Sequence, residues 1–293
     1  MTALHDDESE IEASRAPLLE HLTELRSRLI VCVAALAVAF GVCFAFSEPL
    51  FIFLLQPFKV AGAVMAERQA GAAHGPFDLL WVMIGVKDIP PIAVGALKLV
   101  YTAPLEQFFA KLKISGFGAI MLTFPVLAWQ LYRFVAPGLY KKERRAFAPF
   151  LVASPVLFLA GAALVYFVML PFVLWFSLSQ QITGVAGVAV ELLPKVSDYL
   201  ALVTTLVLAF GLCFQLPVIV SLLGLAGIVD AQQLSAGRRY AIVGVFVVAA
   251  VVTPPDPISQ LMLAIPICLL YEASIWCVRL IELRRRREDA VLA

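Results

Sequence analysis

The stretch Leu29–Ser47, "LIVCVAALAVAFGVCFAFS", contains no charged residue and few polar ones. A helix needs roughly 20 mainly apolar residues to cross the hydrocarbon core of a bilayer, and this stretch has that length. The whole chain of 293 residues is 62% hydrophobic and only 15% charged, whereas soluble domains carry about 25% charged residues. The sequence therefore predicts an integral membrane protein whose first span is this stretch.

Further charge-free stretches follow along the chain, and together they predict an all-α membrane protein with six transmembrane helices. The last two, Tyr240–Pro255 and Pro257–Tyr271, are short for crossing a bilayer, which suggests local thinning of the membrane or a protein-lined cavity. The first external loop, roughly 47–106, is expected to lie at the interface or to fold as a small cap. The predicted spans are at about 27–46, 108–132, 148–174, 198–223, 239–253 and 258–279.

Charges outside the spans predict the orientation and the ends of the membrane domain. With the N-terminus in the cytoplasm, 15 Lys and Arg residues face inside and 7 face outside, so both termini are expected to be cytoplasmic. Residues 1–15 are acidic, unlike the basic start of a signal peptide, and are expected to form a disordered leader. The membrane domain is then 16–279, and 280–293 is a basic cytoplasmic tail.

Several function classes lack any support in the sequence. It has no phosphate-binding loop, nucleophile elbow or zinc signature, and its five cysteines all lie in predicted spans. We therefore expect no enzyme activity, no catalytic residue, no cofactor and no metal. A net charge of +1 also gives no reason to expect a nucleic-acid partner. A proton-coupled permease and a passive membrane scaffold are two function classes that this composition leaves open.

Four acids stand out at the predicted ends of the spans. Glu20 and Glu24 lie on one helical face where the chain enters the membrane, although like charges at this spacing repel slightly. Glu106 falls in the first turn of the second span, where a carboxylate is favoured by the helix dipole and can act as a cap. Glu143 stands among four cations in the next inner loop. It is either a local charge balance or a carboxylate available to an incoming cation.

Five motifs carry a resemblance to a known family. They are "HLTELRSRL" (21–29), "PLEQFFAKLKIS" (104–115), "FVAPGLYKKERRA" (134–146), "AFGLCFQLPV" (209–218) and "VVTPPDPISQLMLAIPICLLYE" (251–272). In these motifs and their order the chain resembles TatC, the multispanning core subunit of the twin-arginine protein translocase. The resemblance covers about residues 16–279.

The resemblance implies a fold, a function and a set of partners. The fold would be a cupped, glove-like bundle of six helices with a periplasmic cap. The function would be to bind twin-arginine signal peptides and to export folded precursor proteins across the bacterial cytoplasmic (inner) membrane, driven by the proton-motive force. The implied partners are single-span subunits of the TatA and TatB types, twin-arginine precursors, other copies of the chain and membrane lipids.

The resemblance also implies site residues at the inner side. The end of the first helix and the first inner loop would form the signal-peptide site, with Glu24 and Glu143 as its two acids. Phe134 would lie beside them, and Arg26 belongs to the same signature. Carboxylates bind guanidinium groups bidentately, which Lys copies poorly. Two arginines in the ligand therefore call for two carboxylates.

The remaining motif positions have both structural and functional interpretations. Gln215 stands where many family members carry Glu, and would be a docking point for a partner helix or an internal hydrogen-bonding residue. Asp256 and Gln260 lie in the outer turn before the last span, either as a helix cap and its partner or as a partner contact. Pro57 matches a family proline in the first outer loop. Glu272 is expected to reach the interface or to pair with Arg279.

Overall fold

A computed structural model describes residues 3–69, 78–87, 98–135, 143–185, 188–190, 194–253 and 257–292. Side chains are described over 22–68, 78–87, 98–134, 149–181, 194–253, 257 and 259–284. This part of the chain is almost entirely helical, as the sequence predicted. A helix is the expected form of an apolar segment in lipid, because it pairs every interior backbone N–H and C=O within the segment.

The first half of the chain forms a long helix, a bent segment of short helices and a second long helix. The elements are α1 (Ala3–Ala45), α2 (Ser47–Leu54), α3 (Gln56–Gln69), α4 (Asp78–Met83) and α5 (Glu106–Val135). Helix α1 begins at Ala3, so the acidic leader that was expected to be disordered is helical here. Acidic residues near a helix N-terminus are favoured by the helix dipole, which is consistent with this extension.

The second half contains the broken spans and the C-terminal helix pair. Its elements are α6 (Glu143–Leu164), α7 (Leu170–Ser179), β1 (Ile182–Val185), β2 (Val188–Val190), α8 (Val196–Cys213), α9 (Leu216–Leu225), α10 (Ala231–Ala236), α11 (Arg238–Val252) and α12 (Pro257–Leu292). A π-helical turn, Val165–Met169, joins α6 to α7. The antiparallel pair β1–β2 is a small departure from the all-helical prediction, and it lies where an uncharged loop was expected.

Six helical segments of the described chain are long and apolar enough to cross a membrane. They are Leu22–Ala45, Ser47–Arg68, Glu106–Phe134, Pro149–Ser179, Val196–Leu225 and Ser259–Arg284. The number six was predicted, but the set differs in one member. Ser47–Arg68 was assigned to the first external loop because its charges interrupt every long charge-free window. Helix α11, predicted as the fifth span, has 15 residues and is therefore only about 22 Å long.

The core lies where α3, α5, α7 and α8 meet around the π-helical turn. Its largest fully buried side chains include Phe158, Phe210, Leu54 and Ile114. Helix α6 approaches α8 closely at Gly211, where an added Cβ would lie 2.5 Å from the Phe158 ring. Close packing of this kind stabilises helix pairs in lipid, where the apolar solvent offers no hydrophobic driving force between helices.

Candidate functional site

Glu106 sits where the starts of α5 and α8 meet. One carboxylate oxygen accepts from the backbone N–H groups of Thr102 at 2.6 Å and Ala103 at 3.2 Å, while the other accepts from the Ser197 N–H at 3.1 Å. The side chain is buried, with 9% of the residue exposed. The predicted cap is therefore present, and it also joins two helices that are 91 residues apart in sequence.

Pro57 lies buried in α3, just after the bend that separates α2 from α3. A proline has no N–H to give to the carbonyl four residues earlier, which here belongs to Phe53. The Tyr166 hydroxyl donates to that carbonyl at 2.7 Å, and the Tyr199 hydroxyl donates to the next one, Leu54, at 2.5 Å. The two tyrosines thus link the bent α2–α3 segment to the core.

These contacts locate the two ends of the α1–α5 helix pair. Glu106 bonds to the start of α8, and Tyr199 in the same turn of α8 bonds to the end of α2. The start of α5 therefore lies near the end of α1, and the two helices run antiparallel. We call this the Glu106 end of the bundle, and the opposite end, where the first span starts, the Glu24 end.

At the Glu24 end, α1 presents a carboxylate that is already engaged with a guanidinium. The Arg28 guanidinium donates through Nη2 to the Glu24 carboxylate one helical turn away. The Glu24 side chain is 35% exposed and that of Arg28 only 14%. Ser27 donates from its hydroxyl to the Glu24 backbone carbonyl at 2.8 Å, and Arg26 faces outward and is exposed.

The end of α5 reaches the same level as Glu24. Gly118 of α5 lies against Cys43 of α1. From that contact, Glu24 and Phe134 lie about 28 Å and 24 Å along their antiparallel helices, at 1.5 Å per residue. Phe134 is partly buried. Glu143 is the first residue of α6, but its side chain lies outside the described residues, so its pairing with Glu24 stays a prediction.

Gln215 forms an internal link in the apolar interior. Its Nε2 donates to the Ser154 carbonyl at 3.0 Å, and its Oε1 accepts from the Ser154 hydroxyl at 2.6 Å. It is buried, 7% exposed, at the break between α8 and α9. A polar group left unpaired in lipid is costly, and the two hydrogen bonds to Ser154 of α6 give both ends of the amide a partner. The geometry therefore favours the internal interpretation over a free docking amide.

Two other predicted positions lie near α11 and α12. Gln260 donates to the Phe246 carbonyl of α11 at 3.2 Å, so it links two helices. Asp256 lies outside the described residues, and its predicted role as a cap stays a prediction. Glu272 pairs with Arg238 at 2.8 Å rather than with Arg279. Arg238 and Glu272 also line an open groove of about 290 Å³ between α11 and α12, whose other lining side chains are mostly apolar.

No group of three or more His, Cys, Asp or Glu residues that could hold a metal ion occurs among the described residues. All five cysteines are free. Sequence reasoning missed the roles of Tyr166, Tyr199, Ser197 and Ser154. The two tyrosines did carry a signal, because a buried tyrosine hydroxyl usually finds a hydrogen-bond partner.

Comparison with known proteins gives one consistent family. The family described as "Sec-independent protein translocase protein (TatC)" matches residues 20–266. The protein of that name from Magnetococcus marinus is 41% identical, over 94% of this chain and 89% of its own length. The one from Aquifex aeolicus is 34% identical, over 93% and 98%. A crystal structure titled "Twin Arginine Translocase Receptor- TatC" superposes with a TM-score of 0.67 at 33% identity, covering 89% of this chain and 98% of the solved one.

Proposed function

The chain belongs to the TatC family of Sec-independent protein translocases, and on this premise we propose that it is the receptor for twin-arginine signal peptides. The family comprises translocase components, so the protein is a multi-pass membrane protein of protein transport and not an enzyme. The proposed ligand is the pair of arginines in the signal peptide of a folded precursor. Its proposed binding site is the Glu24 end of the bundle.

The observation that carries this proposal is the contact between Glu24 and Arg28. It places a carboxylate at the start of the first span, partly exposed and in a geometry that accepts a guanidinium. Guanidinium–carboxylate hydrogen bonds are charge-assisted and roughly twice as strong as neutral ones. A signal-peptide arginine presents the same group to the same acceptor.

The second arginine of the ligand requires a second acceptor, and Glu143 is the proposed one. It begins α6, only nine positions beyond Phe134, which lies level with Glu24. Phe134 would contact the peptide next to its arginines. Arg26, exposed on α1, is proposed to contact peptide groups that accept hydrogen bonds.

We further propose that transport takes place at the bacterial cytoplasmic (inner) membrane and that both termini lie in the cytoplasm. The proposed partners are single-span TatA- and TatB-type subunits, other copies of the chain and membrane lipids. Exposed apolar side chains on α1 and α11 support lateral contacts in the bilayer. The proton-motive force is the proposed energy source. A protonophore should then stop export of a twin-arginine reporter while cellular ATP is maintained.

The receptor proposal is tested by removing one carboxylate at a time. Glu24→Gln and Glu143→Gln should each weaken binding of a twin-arginine peptide about tenfold or more, because a hydrogen bond to a charged group contributes roughly 1.5–3 kcal/mol. The double variant should lose less than the sum, since both acids serve one ligand. Site-specific crosslinking of the peptide in membranes measures this.

Glu272→Gln is the matched control, because Glu272 also pairs with an arginine but lies on α12. It should leave peptide crosslinking unchanged. Normal crosslinking in both Glu24→Gln and Glu143→Gln, at normal protein abundance, would rule out the proposed site.

A further inference from the structure

The Arg28 side chain is held against the protein far more than an ordinary surface arginine. Only 14% of the Arg28 side chain is exposed. In the Arg238–Glu272 ion pair, by comparison, 47% of the Arg238 side chain is exposed. Arg28 donates to Glu24 through Nη2. Its resting position is therefore at the very carboxylate that the proposed ligand must reach.

The contact is nevertheless incomplete. The Nε of Arg28 is buried and has no hydrogen-bond acceptor among the described residues. A full bidentate pair uses two parallel N–H···O bonds, and a buried unpaired N–H carries a desolvation penalty. An arginine that reaches Glu24 from outside, with freedom to align its planar fork, is therefore a stronger partner than Arg28 is.

We propose that Arg28 is a built-in competitor that occupies the Glu24 carboxylate until a twin-arginine ligand displaces it. This inference rests on the proposed receptor function and adds a residue that sets its affinity. The apparent dissociation constant equals the intrinsic one divided by the fraction of protein in which Glu24 is accessible. The competitor lowers the apparent affinity of every ligand that binds Glu24 by the same factor, so a lysine peptide, which lacks the planar fork, remains the weaker ligand.

The expected size of the effect follows from the strength of such pairs. Even an exposed helix-surface ion pair leaves its acid accessible in only roughly one-sixth to two-fifths of molecules, so removing this more enclosed competitor should tighten peptide binding at least about two- to sixfold. Arg28→Met keeps the length of the side chain but removes the guanidinium. Arg28→Lys keeps the charge but loses the fork, so its gain should be smaller.

The test is a titration of the full-length chain, reconstituted in lipid nanodiscs, with a fluorescent twin-arginine signal peptide. Tighter binding in Arg28→Met, a smaller gain in Arg28→Lys and no change in the exposed control Arg284→Met support the proposal. Unchanged or weaker binding in the Arg28 variants overturns it and leaves the contact as an ordinary helix pair. Where Arg28→Met does not accumulate, Arg28→Lys decides alone.

The same Arg28 substitution made in the Glu24→Gln variant separates this proposal from the receptor function itself. In Glu24→Gln, the further change Arg28→Met should give no gain, because the competition is for the carboxylate. A gain that persists there would mean that only positive charge was removed, which also overturns the proposal. Normal binding by both Glu24→Gln and Glu143→Gln would refute the receptor site, whereas weak binding by Glu24→Gln with unaltered binding by the Arg28 variants would refute only the competitor.

Discussion

Glu106 and Glu24 are the same residue type at opposite ends of one helix pair, and their partners differ in kind. Glu106 is buried and accepts from backbone N–H groups of two helix starts. Glu24 is partly exposed and accepts from a side chain on its own helix. Backbone donors at helix starts cannot leave unless the helices move, whereas a side chain can rotate away.

This difference is consistent with a structural role for Glu106 and with the proposed ligand-binding role of Glu24. The first N–H groups of a helix have no partner within the helix, and the dipole favours a negative charge there, so Glu106 is stabilised as part of the fold. Glu24 has a replaceable partner. Exchange of one guanidinium for another keeps its charge satisfied throughout, which is what a receptor carboxylate requires.

Glu106→Ala tests the structural role of Glu106 most directly, and it should have the largest effect on the amount of folded protein. It removes the hydrogen bond between the start of α5 and the Ser197 N–H and takes the charged acceptor from the Thr102 and Ala103 N–H groups as well, and each hydrogen bond to a charged group contributes roughly 1.5–3 kcal/mol. We expect most of the protein to be lost from the membrane fraction. Quantitative immunoblotting of membranes measures this loss.

Glu106→Gln should fall between Ala and the native residue, because the amide keeps one acceptor oxygen but lacks the second. By contrast, Glu24→Gln should leave the amount of protein unchanged while peptide binding falls. Normal abundance of Glu106→Ala would contradict the structural assignment of this acid.

Gln215→Leu tests whether Gln215 has a structural role, like Glu106, or a binding role, like the one proposed for Glu24. Its effect on the protein should be smaller than that of Glu106→Ala. The geometry predicts a structural role, because the amide bonds twice to Ser154. Losing this link should cost about 1 kcal/mol, seen as lower thermal stability of the purified protein with peptide binding intact. Gln215→Glu should be tolerated, since a protonated carboxyl can still donate and accept.

Ser154→Ala is the matched variant, and combined with Gln215→Leu it should add little further loss. The docking interpretation makes a different forecast for Gln215→Leu, namely full stability with loss of partner association and export. Measuring stability, abundance and export of a twin-arginine reporter together therefore separates the two roles.

The sequence was sufficient for the features that depend on local pattern. Charge-free windows identified the apolar helices, and the motifs identified the family, because both are written in consecutive residues. Charge-free windows did not identify Ser47–Arg68, because Lys59 and other charges interrupt a segment that is, by length and composition, apolar enough to cross a membrane. The predicted span 239–253 agrees with α11 (Arg238–Val252) to within one residue at each end, and its short length was predicted as well.

Contacts between distant residues could not be obtained in this way. The Glu106 cap was predicted, but its bond to Ser197 spans 91 positions, and those of Tyr166 and Tyr199 to the α2 carbonyls span 113 and 145. A lone amide such as Gln215 predicts a need for a partner but not which one. Only the packing of α6 on α9 identifies Ser154.

The smallest effect is expected at the Arg238–Glu272 pair. It tests whether the burial of an ionic contact, rather than its mere presence, determines how much it contributes to stability. Its side chains are 47% and 42% exposed, and pairs that exposed contribute about 0–1 kcal/mol, further reduced by salt. Glu272→Ala should therefore shift the thermal stability of the purified protein within that range, and the shift should vanish in high salt. The Arg28 contact is more enclosed, so salt should weaken it less. A Glu272→Ala effect as large as that of Gln215→Leu, persisting in salt, would show that exposure is a poor guide to which ionic contacts this bundle depends on.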